Sequence, residues 1–459
     1  MSLINRHPQQ HPLRAALHNE IHARPPEAMS APLAISHIVM VCDAAQREAS
    51  RHHVAALLRD HHLPQPDAQS THIRMDLGLF RIRWELHTEF VTYTFTRALD
   101  VAGFGEREPA TAIEAVPQDW LAALQGQCLA SLHLWVLPTH TFGTNSLVKH
   151  VLHEDALVAS TVADGHGEVY TDFAIHADGF SRMVLLAGGP SGAGPSQGAS
   201  APLGGSEAPS VGAGISPRRL GRLVQRLLEI ETYRMAALLG LPAAREAAAV
   251  LAFAERELAE LAESIRSANR DDEPQLLDRL TRLAGKVESQ YAATHSRFSA
   301  SAAYFELLDK RISDIAESRL AGLQTIREFM DRRLTPARST CEWATRRQDA
   351  LSQRVSRMSN LLRTRVEIEQ QQSSQALLAT MNRRQDLQLK LQATVEGLSV
   401  AAITYYIVGL VSYLTKGAQK IGWPLSSEST TALAIPVVAA GVWWSLRQLH
   451  QKIMGKWYA

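Results

Sequence analysis

Histidine and arginine side chains are concentrated near the start of this 459-residue chain. The stretch "HPLRAALHNEIHARPP" places His11, Arg14, His18 and His22 at helical spacing. Residues four apart on a helix lie one turn above each other, so His18 and His22 could chelate one metal ion. A zinc site needs further ligands, the stretch is not H-E-x-x-H, and Arg14 would repel a cation. We therefore predict no metal site here, but a polar face that contacts solvent, another subunit or an anion.

An amphipathic helix from Leu13 to Arg24 would present that face. Pro12 suits a first helical turn, and the Pro-Pro pair that follows Arg24 ends the helix. Leu13, Leu17 and Ile21 form a stripe on the opposite side, which we expect to dock on the rest of the domain.

Other residue groups give no catalytic constellation. The four histidines in "RHHVAALLRDHH" predict a solvated helix face. Glu85 and Glu89 would lie roughly 13 Å apart on one strand, too far for a carboxylate pair, unless a turn between them lets them meet. Arg81 and Arg83 favour ordinary ion pairing with them. Without a nucleophile elbow or a Cys-His neighbourhood, we predict no catalytic residue, no cofactor and no enzymatic activity.

Composition narrows the class of partner. Lys and Arg number 47 against 46 Asp and Glu, so no general surplus of positive charge favours nucleic acid. Cys42, Cys128 and Cys341 are far apart and predict neither a disulfide framework nor a structural zinc site.

Two apolar segments near the C-terminus predict a membrane anchor. Residues 397–415 and 429–446 carry no formal charge, and each is just long enough to cross the hydrocarbon core. Hydroxyl-bearing and small residues in the first segment would either pack against the second or face a pore, and we single out Ser399, Thr404, Gly409 and Ser412.

Basic residues suggest how the segments are oriented. Arg and Lys residues stand before the first segment and in the tail 447–459, whereas the spacer 416–428 carries only Lys416 and Lys420. The polar N-terminus shows no apolar core of a secretory signal. We expect both termini on the cytoplasmic side of a bacterial inner membrane, with the spacer as a short loop outside.

The preceding chain divides by composition. Residues 1–186 read as α+β, with a strand over Leu33–Val41, a helix capped by Asp43, a hairpin-like strand pair in "LFRIRWELHTEFVTYTFTR" and a hairpin that turns at Asp178-Gly179. Residues 187–217 are almost entirely Gly, Ala, Ser and Pro and predict a flexible linker.

Residues 218–396 predict a helical stalk, and their last sixty residues contain no Gly or Pro. Leu351, Val355, Met358 and Leu362 follow the spacing of a coiled-coil seam. A solitary helix this polar would be marginal, so we expect an antiparallel bundle and a homo-oligomer. The predicted fold class is therefore an α+β head, a helical stalk and a transmembrane hairpin.

Four segments carry a family resemblance: "HPLRAALHNEIHARPP", "RWELHTEFVTYTFTR", "RLVQRLLEIETYRMAALLGLP" and "TVEGLSVAAITYYIVGLVSYL". Together they resemble a bacterial family of uncharacterised, membrane-anchored proteins. The resemblance covers nearly the whole chain and implies a membrane anchor, with the linker as an insertion. It implies no catalytic residues.

The layout is also similar to that of CorA-type divalent-cation channels, whose last long helix runs into the first of two spans. Their Gly-Met-Asn motif is absent, because the corresponding region reads "SYLTKGAQKIGWP". The uncharged segments favour a membrane-anchored scaffold or regulatory protein with the lipid bilayer and an unknown protein as partners. A CorA-like channel with a divergent loop is the alternative.

Overall fold

The computed structural model of the chain describes residues 11–15, 17–18, 25–100, 109–139, 150–153, 156–188, 215–269, 272–419, 422, 424 and 426–454. His22, Ile21, most of the predicted linker, four residues of the predicted outside loop and the last five residues of the predicted tail lie outside these ranges.

Strands come first along the chain and long helices follow. The strands are β1 (Leu33–Val41), β2 (His72–Asp76), β3 (Arg81–Leu86), β4 (Phe90–Ala98), β5 (Gln127–Pro138), β6 (Val158–Val162), β7 (Gly167–Thr171), β8 (Ser181–Ala187) and the two-residue β9 (Ser318–Arg319). The helices are α1 (Ala44–Asp60), α2 (Gln118–Ala122), α3 (Pro217–Leu238), α4 (Gly240–Ser267), α5 (Glu273–Asp314), α6 (Ile326–Gln419) and α7 (Ser427–Met454).

Within the described residues, the strands form one mixed sheet in the order β2-β3-β4-β1-β5-β8-β7-β6-β9. Only β5 and β8 pair in parallel; the other neighbouring strands named in this order are antiparallel. The strand predicted over Leu33–Val41 is confirmed, as is the β3–β4 pair. The turn at Asp178-Gly179 is confirmed as part of the connection between the antiparallel strands β7 and β8, and Gly179 takes a φ of 84° there.

Helices cover the sheet on both faces, which explains why β1 is buried along almost its whole length. α1 contributes Val54, Leu57 and Leu58 to the core on one face. It begins at Asp43 as predicted, because the Asp43 side chain accepts a hydrogen bond of 2.8 Å from the Gln46 backbone N–H.

The opposite face, called here the α3 face, is covered mainly by α3. Leu220, Leu223 and Leu227 of α3 meet Ile35 and Leu134 of the sheet in one core. This core also receives apolar side chains from the C-terminal part of α5 and the first turns of α6. Burial of these apolar side chains in one common core therefore joins the three helices to the sheet.

Contacts between Cα atoms divide the chain into two compact units. The first is residues 1–267 with 278–357, and the second is residues 268–277 with 358–459. This division differs from the domain limits drawn from composition, which stay predictions. The chain thus has an N-terminal sheet domain followed by long helices, as the sequence predicts at this coarse level.

The second unit contains the longest exposed helical segment of the described chain. Every residue of α6 from 370 to 395 is exposed, although Leu377, Leu378, Met381, Leu387 and Leu391 are apolar. The predicted coiled-coil seam is divided between the units. Its first two residues, Leu351 and Val355, belong to the first unit and are buried.

Candidate functional site

A polar stripe on the α3 face of the sheet begins the candidate site. Alternation along β3 directs Ile82 and Trp84 into the core on the α1 side, so Arg83 and Glu85 lie on the α3 face. In β4 the same alternation places Thr92, together with Thr94, on that face. Cross-strand pairing sets Arg83 opposite Thr94 and Glu85 opposite Thr92.

The helix α3 closes this stripe from above. Residues three or four apart share one side of a helix, and on α3 they present Gln225, Leu228, Glu229 and Thr232 to the sheet. Together the strands and the helix enclose a hollow of about 230 Å³, which we call the polar cleft. Its lining is His37, Arg83, Glu85, His87, Phe90, Thr92, Thr94, Gln225, Leu228, Glu229, Thr232, Tyr233 and Arg311.

His37 is a buried histidine of the polar cleft, only 5% exposed. Its Nδ1 lies 2.8 Å from the Thr94 hydroxyl and its Nε2 lies 3.0 Å from the Thr232 hydroxyl. Burial lowers the pKa of His37 from its ordinary value of 6.5 to about 4. The imidazole is therefore neutral at physiological pH and fixes α3 to the centre of the sheet through two hydroxyl groups.

Charged side chains of the polar cleft are held in pairs. A guanidinium nitrogen of Arg83 donates to Glu85 at 2.8 Å, and Arg311 donates to Glu229. Arg311 also lies 3.3 Å from Asp314. These pairs leave the cleft close to neutral, with fixed dipoles on its walls.

Two buried oxygen atoms of the polar cleft have no hydrogen-bond partner among the described residues. They are Oγ1 of Thr92 and Oε1 of Gln225, whose amide nitrogen donates to Glu229 at 2.8 Å. Thr92 is only 3% exposed. Because nearly all buried polar groups in proteins are paired, such atoms indicate space occupied by water or a ligand. The cleft is suited to a small polar molecule rather than to an extended chain.

The rim of the polar cleft joins the β3–β4 turn to α5. A carboxylate oxygen of Glu89 accepts from Arg297 at 2.7 Å and from the Tyr304 hydroxyl at 3.0 Å. Tyr304 also stacks on Tyr233 of α3 with 6.0 Å between ring centroids. Burial raises the pKa of Tyr304, which therefore stays a donor. Glu85 and Glu89, separated by this turn, have different partners and form no carboxylate pair.

A profile of one protein family matches residues 9–197 and 210–453, and its description is "Protein of unknown function (DUF3422)". The chain belongs to this family. The resemblance found in the sequence is thereby confirmed for an uncharacterised family, whereas similarity to CorA-type channels is not shown. The unmatched residues 198–209 fall inside the predicted Gly/Ser/Pro linker. No curated protein matches the chain, and no solved structure matches it.

Two of the segments that carry the family resemblance build the polar cleft. "RWELHTEFVTYTFTR" supplies the polar stripe of β3 and β4, and "RLVQRLLEIETYRMAALLGLP" supplies α3. A third, "HPLRAALHNEIHARPP", ends with Pro25 and Pro26, and Pro25 lines a second hollow of about 470 Å³, which Arg83 and Glu85 also line.

The predicted N-terminal face lies elsewhere. His11, Arg14 and His18 are exposed, and His22 is outside the described residues. None of the three lines either hollow. Leu13 and Leu17 are 56% and 59% exposed, so these two leucines do not dock on the domain as expected.

Residues of the polar cleft were missed by the sequence analysis because they do not form a local motif. His37 meets Thr94 and Thr232 only after the strands pair and α3 covers them. One signal was available: threonines alternate with bulky apolar residues in "VTYTFT", which indicates a strand whose second face is buried but polar.

Two helices, α6 and α7, are apolar enough and long enough to cross a membrane. α6 and residues Ser427–Gln448 of α7 each contain an 18-residue window of this kind, and none of the window's residues is buried. A third window, within Pro217–Ser267, has 33% of its residues buried, consistent with the core contacts of α3 and α4.

The predicted packing residues lie in α6, and all four are partly buried: Ser399, Thr404, Gly409 and Ser412. Their apolar neighbours Tyr405, Leu410 and Tyr413 are exposed.

Proposed function

We propose that this protein is a membrane-anchored, non-enzymatic scaffold or regulatory protein of the bacterial inner membrane. One observation carries the proposal: the two most apolar helical windows of the second unit bury none of their residues. Such surfaces are stable only when lipid or another apolar surface covers them. The uncharged segments 397–415 and 429–446 supply that surface.

In this proposal the two segments form an antiparallel hairpin. Partly buried residues recur on α6 at 400, 404, 408, 411 and 415, and on α7 at 427, 431, 434, 438 and 442, with the spacing of a single helix face. The hydroxyls of Thr415 and Ser427 approach to 3.4 Å where the two helices are connected. Small and β-branched residues on both faces favour close helix packing in lipid.

Orientation rests on the flanking charges. Arg383, Arg384 and Lys390 precede the first segment, and Arg447, Lys452 and Lys456 follow the second. The positive-inside rule then places both termini in the cytoplasm and residues 416–428 outside.

Self-association is the second part of the proposal. Residues 370–395 of α6 are exposed throughout and include leucines at 377, 378, 387 and 391. Water-exposed leucines on a helix are covered when equivalent helices of other subunits associate. We therefore expect a homo-oligomer.

The polar cleft is the part of the protein that would receive a small polar ligand. Its charged groups are engaged with one another, and His37 holds α3 rather than facing a nucleophile. This arrangement is suited to binding. A ligand that reaches Thr92 and Gln225 would contact both the sheet and α3, and so could report its presence to helices that follow α3 in the chain.

A labelling experiment tests the anchor and its orientation. In a background that lacks the three native cysteines, Ser426→Cys is placed in the connection between the segments and Ser374→Cys in the exposed part of α6. We expect an impermeant maleimide to label Ser426→Cys in intact spheroplasts and Ser374→Cys only after lysis.

Extraction with alkaline carbonate provides the complementary measurement. The full chain should stay in the membrane pellet, and a chain ending at Glu396 should leave it. Release of the full chain by carbonate, or labelling of both cysteines in intact spheroplasts, would contradict the proposed anchor.

The channel alternative is separated by reconstitution in liposomes. The segments 397–415 and 429–446 contain no Asp, Glu, Lys or Arg, which transport of ions commonly uses. We expect no selective divalent-cation flux. Flux that is abolished by substitutions within Ser412 to Gly422 would overturn the scaffold proposal.

A further inference from the structure

We propose that His153, Asp172 and His176 form a binding site for a divalent transition-metal ion, with Zn²⁺ as the best match. Asp172 directly follows β7, and His176 lies four residues later in the connection to β8. His153 comes from the short segment that precedes β6. The sheet thus brings together three ligand-type residues from two loops.

The ligand atoms of the three side chains are already close. One ligand atom from each residue lies within 4.8 Å of the others. Nε2 of His176 is 2.8 Å from a carboxylate oxygen of Asp172. The rings of His153 and His176 stack with 4.3 Å between centroids and 7° between planes, so both imidazoles stand beside the same carboxylate.

Backbone groups fix the orientation of the carboxylate. The N–H of His153 donates to Oδ2 of Asp172 at 3.0 Å, and the N–H of Ala174 donates to Oδ1 at 3.0 Å. The first of these bonds also fixes the backbone of a second ligand. Ligands held in this way lose little freedom when a metal binds, which strengthens binding.

Charge balance gives an independent reason for a cation. The Asp172 side chain is 0% exposed and that of His176 is 7% exposed. Within the described ranges, Asp172 pairs with His176 and with no Lys or Arg, and nearby Arg182 is 3.2 Å from Asp178. A buried carboxylate without a full positive charge beside it is costly, and a divalent ion would compensate it.

The donor set and its exposure match zinc. Two imidazole nitrogens and one carboxylate oxygen are common zinc ligands, and zinc sites with three protein ligands keep one position open. His153 is exposed, so the three side chains are reachable from solvent. Ligand atoms around tetrahedral zinc lie about 3.4 Å apart, so closure requires the exposed His153 ring to move by about 1 Å.

A hydrogen bond between His176 and Asp172 alone would also order this loop, and the two explanations differ in the role of His153. The His153 imidazole is exposed, and the hydrogen bond that His153 gives to Asp172 comes from its backbone N–H and not from the ring. Removing that ring should leave a purely structural pair intact, but should remove one ligand from a metal site.

The test uses the purified full chain in detergent, stripped with a chelator and titrated with Co²⁺ and Zn²⁺. We expect one Co²⁺ per chain with the visible absorption of a tetrahedral ion, displaced by one equivalent of Zn²⁺. His153→Ala should weaken Zn²⁺ binding at least about tenfold. His52→Ala is the matched control, because His52 is an exposed histidine outside the cluster.

Thermal unfolding gives a readout that does not depend on absorption. Zn²⁺ should raise the unfolding temperature of the unmodified chain and of His52→Ala, and should raise that of His153→Ala by less at the same Zn²⁺ concentration. The proposal is overturned if Co²⁺ gives no tetrahedral spectrum, or if His153→Ala and His52→Ala bind Zn²⁺ equally well, since binding would then come from scattered surface histidines.

Discussion

Single residues of the sheet domain explain an expected sensitivity to acid. Burial lowers the pKa of both His37 and His133 from 6.5 to about 4. Between these values the unfolded chain binds protons that the folded protein excludes. The stabilisation is therefore complete above pH 6.5 and falls as the pH drops towards 4, by at most about 3 kcal/mol for each histidine.

Urea unfolding at pH 7.5 and pH 5.0, followed by tryptophan fluorescence, checks this expectation. The free energy of unfolding should be smaller at pH 5.0. His37→Gln keeps groups that can bond to Thr94 and Thr232 but cannot titrate, so it should reduce the difference between the two pH values. An unchanged difference would show that His37 does not cause the acid sensitivity.

The two threonines of β4 in the polar cleft provide a matched pair of substitutions. The Thr92 hydroxyl has no partner among the described residues, whereas that of Thr94 is 2.8 Å from His37. We expect Thr92→Val to be neutral or to stabilise the protein by about 1 kcal/mol, and Thr94→Val to destabilise it by about 1–2 kcal/mol. Equal destabilisation, measured by urea unfolding, would mean that a bound molecule already satisfies Thr92.

At the scale of elements, α3 and the segment before β1 are in unusually close contact. A Cβ atom added to Gly221 of α3 would lie 1.6 Å from the backbone oxygen of Glu27. The N–H of Met29 also donates to the carbonyl of Pro217 at 2.9 Å. Only glycine allows the segment to lie this close to the helix.

Gly221→Ala should therefore destabilise the protein by about 3 kcal/mol or more, because backbone has to move. Gly285→Ala is the control: Gly285 is exposed on α5, and nothing lies within 4 Å of an added Cβ. It should stabilise the protein by up to about 1 kcal/mol, since alanine favours helix. Similar effects of the two substitutions on thermal unfolding would contradict the close contact.

Local patterns predicted individual elements better than their assembly. The strand at Leu33–Val41, the cap at Asp43 and the β3–β4 pair depend on neighbouring residues, and all three are confirmed. The parallel pairing of β5 with β8 depends on contacts between distant residues, and alternation does not reveal it. The polar cleft depends on the same long-range contacts. Histidine-rich stretches drew attention to His18, although the most deeply buried histidine of the cleft, His37, stands alone in a strand.

At the scale of the whole molecule, the exposed part of α6 predicts how self-association can be weakened. Leu377→Ser combined with Leu391→Ser removes two apolar side chains that are 62% and 69% exposed. We expect a lower oligomeric mass by analytical ultracentrifugation in detergent, with the helix content unchanged. The control Gln388→Ser introduces the same serine side chain into the same helix but removes no apolar group. It should leave the mass unchanged. A monomeric parent protein would contradict the proposed oligomer.

The short strand β9 also determines when the sheet can be completed during synthesis. β6 pairs along this edge with Ser318 and Arg319, and the N–H of Ala163 donates to Ile315 at 2.8 Å. A ribosome that adds about 5–20 residues per second delivers these partners roughly eight to thirty seconds after β6. During that interval the nascent chain presents an unpaired strand edge, which can pair with another chain. Chaperones that bind extended segments would be needed most in this interval, before α5 is complete.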